Sequence, residues 1–223
     1  MKRFLSLIAL VLCVSILASP PTAAASPAFT DISGHWAEST IERFADAGII
    51  SGFPDGSFRP DQDVTRAELA VMLTRAFDLS EGVSFGFPDV HPGAWYYEYM
   101  RSAARFIPHH QFGGSFAGTH AAHRIDVATA FVSIKQCMTN IAIDMPPHED
   151  MVQQVRDTFR DSDYRVGAIG SPIFRSTWLA HHLGIMEGFP DGYFRPAWGV
   201  TRADVLTMID RMLSVDAVRE GAC

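Results

Sequence analysis

The sequence predicts an all-α fold built from three helix–loop–helix repeats. The first ground is a duplicated segment: Gly48-Ile49-Ile50-Ser51-Gly52-Phe53-Pro54-Asp55-Gly56-Ser57-Phe58-Arg59-Pro60 matches Gly184-Ile185-Met186-Glu187-Gly188-Phe189-Pro190-Asp191-Gly192-Tyr193-Phe194-Arg195-Pro196 at ten of 13 positions. The second is a further match at the same offset of 136, Val64-Thr65-Arg66-Ala67-Glu68 against Val200-Thr201-Arg202-Ala203-Asp204. The third is the apolar stripe behind each of these, Leu69, Leu73, Ala76 and Phe77 in one and Val205, Met208, Ile209 and Met212 in the other, at helical spacing. An offset of 136 is too long for one supersecondary unit, so a middle copy is expected. It is present in worn form. Phe116 precedes Arg124 by the same eight residues that separate Phe58 from Arg66 and Phe194 from Arg202.

The elements follow in chain order. Met1-Lys2-Arg3, an apolar run from Phe4 to Leu17 and the small residues ending at Ala25 read as a secretory signal peptide over residues 1–25. That run of 14 residues is too short for a membrane span, and no later stretch reaches the roughly 18 to 20 apolar residues one needs. Repeat 1, residues 26–80, opens with Phe29-Thr30-Asp31 and Trp36. Its first helix carries Ile41, Phe44 and Ala45 on one face and stops at Gly48. Pro54-Asp55-Gly56 makes a tight turn, and Thr65 with Glu68 forms a capping box for the second helix. Repeat 2, residues 81–145, keeps Phe87-Pro88-Asp89 and Trp95 but lacks the Pro-Asp-Gly turn and has His123 at the cap. Repeat 3, residues 146–223, keeps the turn and the cap. It has Pro172 in place of the tryptophan and a Phe159-Arg160-Asp161 set about six residues too far upstream, so an altered leading loop is expected there. About ten residues follow Leu213, leaving no expectation of an appended cargo domain.

Composition narrows the function. The formal charge of −7 becomes −9 without Lys2 and Arg3, a poor balance for nucleic acid, whose binding rests on many cations against phosphate. Beyond the signal, Lys135 is the single lysine against 15 arginines; codon usage and selection for a carboxylate ligand both explain this. Cys137 and Cys223 are compatible with one disulfide in an exported chain or with two thiols. The pairs His109-His110, His120 with His123, and His181-His182 come without a His-Glu-x-x-His or paired-cysteine pattern, so no metal or other cofactor is expected. Gly170-Ser171-Pro172 is not a nucleophile elbow, and the carboxylates fall on caps and turns, so no catalytic residues are expected.

The residues quoted above resemble the S-layer homology family, whose repeats carry a leading Phe-x-Asp, a Trp, a Gly-Tyr-Pro-Asp-Gly-x-Phe-x-Pro-like turn and a Thr-Arg-Ala-Glu-like helix start. The resemblance covers nearly all of residues 29–213. It implies a pseudo-threefold helical bundle with projecting prongs, whose grooves between repeats bind cell-wall polymers, often through a pyruvylated amino sugar. The implied role is a non-catalytic module attached to cell-wall polysaccharide or peptidoglycan, exported to the cell wall, cell surface or periplasmic envelope. The alternative is a module that has lost sugar binding and packs on another envelope protein. Arg66, Arg124 and Arg202 are candidate clamps for a ketal-linked carboxylate, each beside backbone N–H donors at a helix start. Trp36 and Trp95 are candidate platforms for sugar faces. Asp31, Glu68 and Gly52 complete the candidate set, with structural roles as the competing reading: loop anchor, helix cap and turn former.

Overall fold

A computed structural model describes residues 29–80, 86–108, 113–139, 145–161 and 172–214. Among them are seven helices and no strand: α1 (Glu38–Asp46), α2 (Arg66–Phe77), α3 (Tyr97–Ala103), α4 (Arg124–Thr139), α5 (His148–Thr158), α6 (Pro172–His182) and α7 (Arg202–Ser214). The signal sequence, Cys223, the His109-His110 pair and the Gly170-Ser171 segment lie outside the described residues. No described helix is long and apolar enough to cross a membrane.

Each repeat contributes two helices, α1 and α2, α3 and α4, α6 and α7, and the principal partner of each first helix belongs to the neighbouring repeat. α3 packs on α2, α6 packs on α4, and α1 packs on α7, so the three repeats close a ring. α5 is an extra element of repeat 3 that packs on α6, where Trp178 Nε1 donates to Gln154 Oε1 at 2.8 Å. The expected stripes face inward: Ile41, Phe44, Leu69, Leu73, Phe77, Val205, Ile209 and Met212 are all buried in one core shared with Phe131 of α4, Leu179 of α6 and Phe116 of the loop before α4.

The described part of the loop that joins the two helices of a repeat ends the same way three times. In repeat 1 the turn closes through Phe53 N–H to Ser57 O (2.8 Å) and Gly56 N–H to Phe53 O (3.0 Å), with Gly56 at φ +81°, a value that glycine adopts without strain. Asp55 accepts from the Ser57 N–H and hydroxyl and from Arg59, and the Ser57 bonds foremost hold its carboxyl far below the usual carboxylate range. Beyond the turn, Arg59, Ala117 and Arg195 take left-handed backbone at φ 59°, 55° and 56°, costly for residues with a Cβ. A carboxylate stabilises each one. Asp31 accepts from the N–H groups of Phe58 and Arg59 (both 2.7 Å), Asp89 from Phe116 and Ala117 (2.9 and 2.7 Å), and Asp161 from Phe194 and Arg195 (2.9 and 2.7 Å). Phe159 meets Phe194 at a ring distance of 5.2 Å, as Phe29 meets Phe58 at 5.3 Å. The upstream Phe159-Arg160-Asp161 therefore occupies the regular position.

The repeats are stitched by backbone as well. Single antiparallel pairings join Asp63 with Thr201, Thr65 with Ala121, and His123 with Gly199. Cys137, on α4, is disulfide-bonded.

Candidate functional site

The three arginines of the Thr-Arg-Ala-Glu-like starts are the interlocks of this ring. The Arg66 side chain is fully buried: Nε donates to Phe116 O at 2.8 Å, Nη2 donates to Pro108 O, and Nη1 lies 3.1 Å from Asp126 Oδ2. Arg124 reaches into repeat 3, with Nε to Phe194 O and Nη2 to Glu187 O, both 2.8 Å. Arg202 closes the cycle on repeat 1, with Nε to Phe58 O (2.8 Å), Nη2 to Ser51 O (3.2 Å) and Nη1 to Glu68 Oε1 (3.3 Å). Desolvation pushes all three guanidinium pKa values down, opposed by Asp126, Asp204 and Glu68 respectively. Phenyl faces also offset the cost of burial, with Phe58 4.5 Å from the Arg202 guanidinium carbon and Phe194 5.1 Å from that of Arg124.

This geometry corrects two expectations. The backbone donors at the helix starts are not open to a ligand: the N–H groups of Arg66 and Ala67 go to His120 O and Gly118 O, those of Arg124 and Ile125 to Trp198 O and Pro196 O, and those of Arg202 and Ala203 to Gln62 O and Pro60 O. Arg66, with no exposed surface, holds the loop of repeat 2 in place and offers no clamp to solvent. Asp31 has both oxygens on backbone, as described, and is a loop anchor.

Four of the candidate residues do come together. Gly52, Glu68, Trp95 and Arg202 line a cavity of about 610 Å³ with Ile49, Phe53, Val71, Met72 and Arg75. Repeat 1 supplies the loop and the α2 face, repeat 2 supplies Trp95, and repeat 3 supplies Arg202. Trp36, Arg66, Arg124 and Asp31 lie outside it. Glu68 completes the capping box, accepting from Thr65 N–H at 2.8 Å while Thr65 Oγ1 accepts from Glu68 N–H at 3.2 Å, and its other oxygen faces Arg202. Gly52 is there for space. A Cβ at that position would stand 2.4 Å from Phe29 Cε1 and 2.6 Å from Ser57 O, so the loop wall forms only with glycine.

Arg75 was not among the candidates. It is exposed on α2, its Nη2 donates to Tyr99 Oη at 2.9 Å, and its guanidinium lies 5.1 Å from the Tyr99 ring. A signal was available, since Arg75 and Arg211 recur at the offset of 136. Trp95, which also lines the cavity, is 65% exposed. The Glu68 charge is matched by Arg202, so Arg75 leaves the cavity locally positive in an acidic chain.

The S-layer homology domain family matches residues 28–70 and 179–206, the segments that carry the turn and the interlocking arginines of repeats 1 and 3. These two segments are S-layer homology repeats. It is similar to the outer membrane protein SlpA of Deinococcus radiodurans, 42% identical over 80 residues, which are 33% of this chain and 7% of that protein. An amylopullulanase of Thermoanaerobacterium thermosulfurigenes is 28% identical over 197 residues, 83% of this chain and 9% of the enzyme. A cellulosome-anchoring protein of Acetivibrio thermocellus is 37% identical over 70 residues, 30% of this chain and 16% of that protein. The chain thus spans a small fraction of the curated relatives it matches. By repeat position, the counterparts of Trp95, Arg202 and Arg75 around repeat 3 are Trp36, Arg124 and Arg211, and Arg211 has Glu187 at 3.9 Å. In repeat 2 the residue corresponding to Arg75 is Ser133.

Proposed function

We propose that this chain attaches to an acidic glycan of the cell envelope through the cavity lined by Trp95, Arg75 and Arg202. The observation that carries the reading is that an exposed indole and an exposed guanidinium line one concave site. A sugar ring presents a flat C–H face to Trp95, while a carboxylate on it, such as a ketal-linked pyruvate, takes the fork of Arg75. Arg202 contributes from the buried wall, and Glu68 and Gly52 hold the wall in shape. The reading makes repeat 1 the principal binding unit, because Glu187 offsets the corresponding arginine in repeat 3 and a serine replaces it in repeat 2.

The comparisons support a separable attachment role. Similarity confined to small fractions of an outer membrane protein, an amylopullulanase and a cellulosome-anchoring protein is what a portable module produces, with binding rather than catalysis as the shared task. The test is binding of the purified chain and its Arg75→Gln variant to cell-wall sacculi. Loss of one charge-assisted hydrogen bond, about 1.5–3 kcal/mol, weakens binding roughly tenfold or more with unchanged circular dichroism. Equal binding by the two proteins removes Arg75 from the site and the carboxylate from the proposal.

A further inference from the structure

Repeat 3 carries a second concave surface that shares no residue with the cavity above or with its rotational counterparts. It has a volume of about 440 Å³ and is lined by Asp161, Tyr193, Arg195, Pro196, Ala197 and Trp198. Trp198 is 59% exposed and Tyr193 39%. Between them stands Arg195, whose guanidinium carbon lies 4.4 Å from the Trp198 ring, 4.3 Å from that of Phe189 and 5.7 Å from that of Tyr193. Arg195 is also ion-paired with Asp191, and Trp198 is pinned at its backbone, where its carbonyl accepts from Arg124 N–H at 2.8 Å and its N–H donates to Arg195 O at 3.1 Å. The loop backbone at Trp198 is therefore fixed, and Arg195 lies against the Trp198 ring.

The feature is peculiar to this repeat. At the positions of Tyr193, Ala197 and Trp198, repeat 1 has Ser57, Asp61 and Gln62, and repeat 2 has Ser115, Thr119 and His120. The loop geometry is common to all three, so the fold does not require the aromatic pair. Two large exposed rings on a solvated loop carry a hydration cost that a ligand removes.

We infer that Tyr193 and Trp198 form a second glycan subsite that takes a neutral pyranose unit, stacked by its C–H face on the Trp198 ring. Three observations favour a sugar. The surface offers flat aromatic faces with a hydroxyl, a guanidinium and a carboxylate at the border, the mixture that matches an amphipathic ring. Arg195 is balanced by Asp191, so the patch attracts no strongly charged ligand. Six lining residues are far fewer than the roughly 20–30 per side of a stable protein interface. The subsite does not depend on the Arg75 cavity, and both can engage one polymer, raising avidity without new contacts at either.

The experiment is fluorine NMR on the full chain labelled with 5-fluorotryptophan, the Trp198 resonance being assigned from the Trp198→Gln variant. The probes are chitotetraose and cellotetraose. The inference predicts a saturable shift of the Trp198 resonance in the millimolar range, retained in Arg75→Gln and about fivefold weaker in Tyr193→Ser, as loss of one aromatic contact implies. Both substitutions in this loop restore residues that repeat 1 carries at the same positions, so the loop folds with them. An unmoved Trp198 resonance with both oligosaccharides overturns the inference. So does a shift that follows protein concentration without sugar, which would assign the patch to a second copy of the chain. Failure of Arg75→Gln to lower sacculus binding, with the Trp198 response intact, would count against the cavity reading and leave this one standing.

Discussion

Arginine at the first turn of a helix has two fates, and the neighbouring loop decides between them. In Arg66 the fork meets two carbonyls and Asp126 and is sealed, whereas in Arg202 it lies at the wall of a cavity with Glu68. Removing Arg66 leaves the fully buried Asp126 without that counter-charge, and Arg66→Ala is expected to lose about 3–5 kcal/mol of stability. Arg66→Lys is expected to recover little of it, because a point charge on a flexible stem does not span three acceptors. Urea denaturation of both variants measures this. A cost below about 1 kcal/mol, the range of ordinary surface ion pairs, would mean that the interlock is dispensable. The residue types of this ring were legible in the sequence, while their burial was not: the spacing puts an arginine at a helix start but says nothing of which carbonyls a distant segment brings to it. Gly52 makes the same point. Its place in a glycine-rich turn was legible, but the reason for it, a Phe29 ring and the Ser57 carbonyl where a Cβ would be, is a tertiary contact.

At the level of elements, local chemistry wrote most of the plan. Gly48 at φ +70° and Gly184 at φ +66° follow α1 and α6, and the Thr65 box opens α2 with both of its hydrogen bonds made. In repeat 2 the cap keeps its acid, Asp126 accepting from His123 N–H at 3.0 Å, though His123 replaces the threonine. Thr65→Ala is expected to cost about 1 kcal/mol, the usual worth of an N-cap, read as a lowered denaturation midpoint with an unchanged slope. A change of slope would signal loss of compactness rather than of a cap. Helix partners were not legible. An apolar stripe defines a face without naming what covers it, and the sequence reading of helix pairs sharing a core leaves open that α3 lies on α2 and α1 on α7. That exchange is what brings Trp95 of repeat 2 into the lining of the same cavity as Arg75 of repeat 1.

For the whole molecule the consequence is closure. α1 meets α7, where Arg43 forms a bidentate pair with Asp210 at 3.0 and 2.9 Å, and Val64 N–H donates to Val200 O at 2.8 Å. An open array of repeats unfolds in steps from its ends, but a closed ring with one core has no end. Urea unfolding followed by circular dichroism and by tryptophan fluorescence is expected to give superimposable curves; an early transition in one probe would show that a repeat detaches. The proposed binding site has the same dependence on closure, because its lining comes from all three repeats. That a glycan site lies at such a junction is the central claim, and it is tested most directly by co-sedimentation of the purified chain with sacculi before and after mild acid removes ketal-linked pyruvate and secondary polymer. The account predicts binding that is lost on extraction. Binding that survives extraction, or no binding to either preparation, would contradict it, the first pointing to peptidoglycan itself and the second to a protein partner in the envelope.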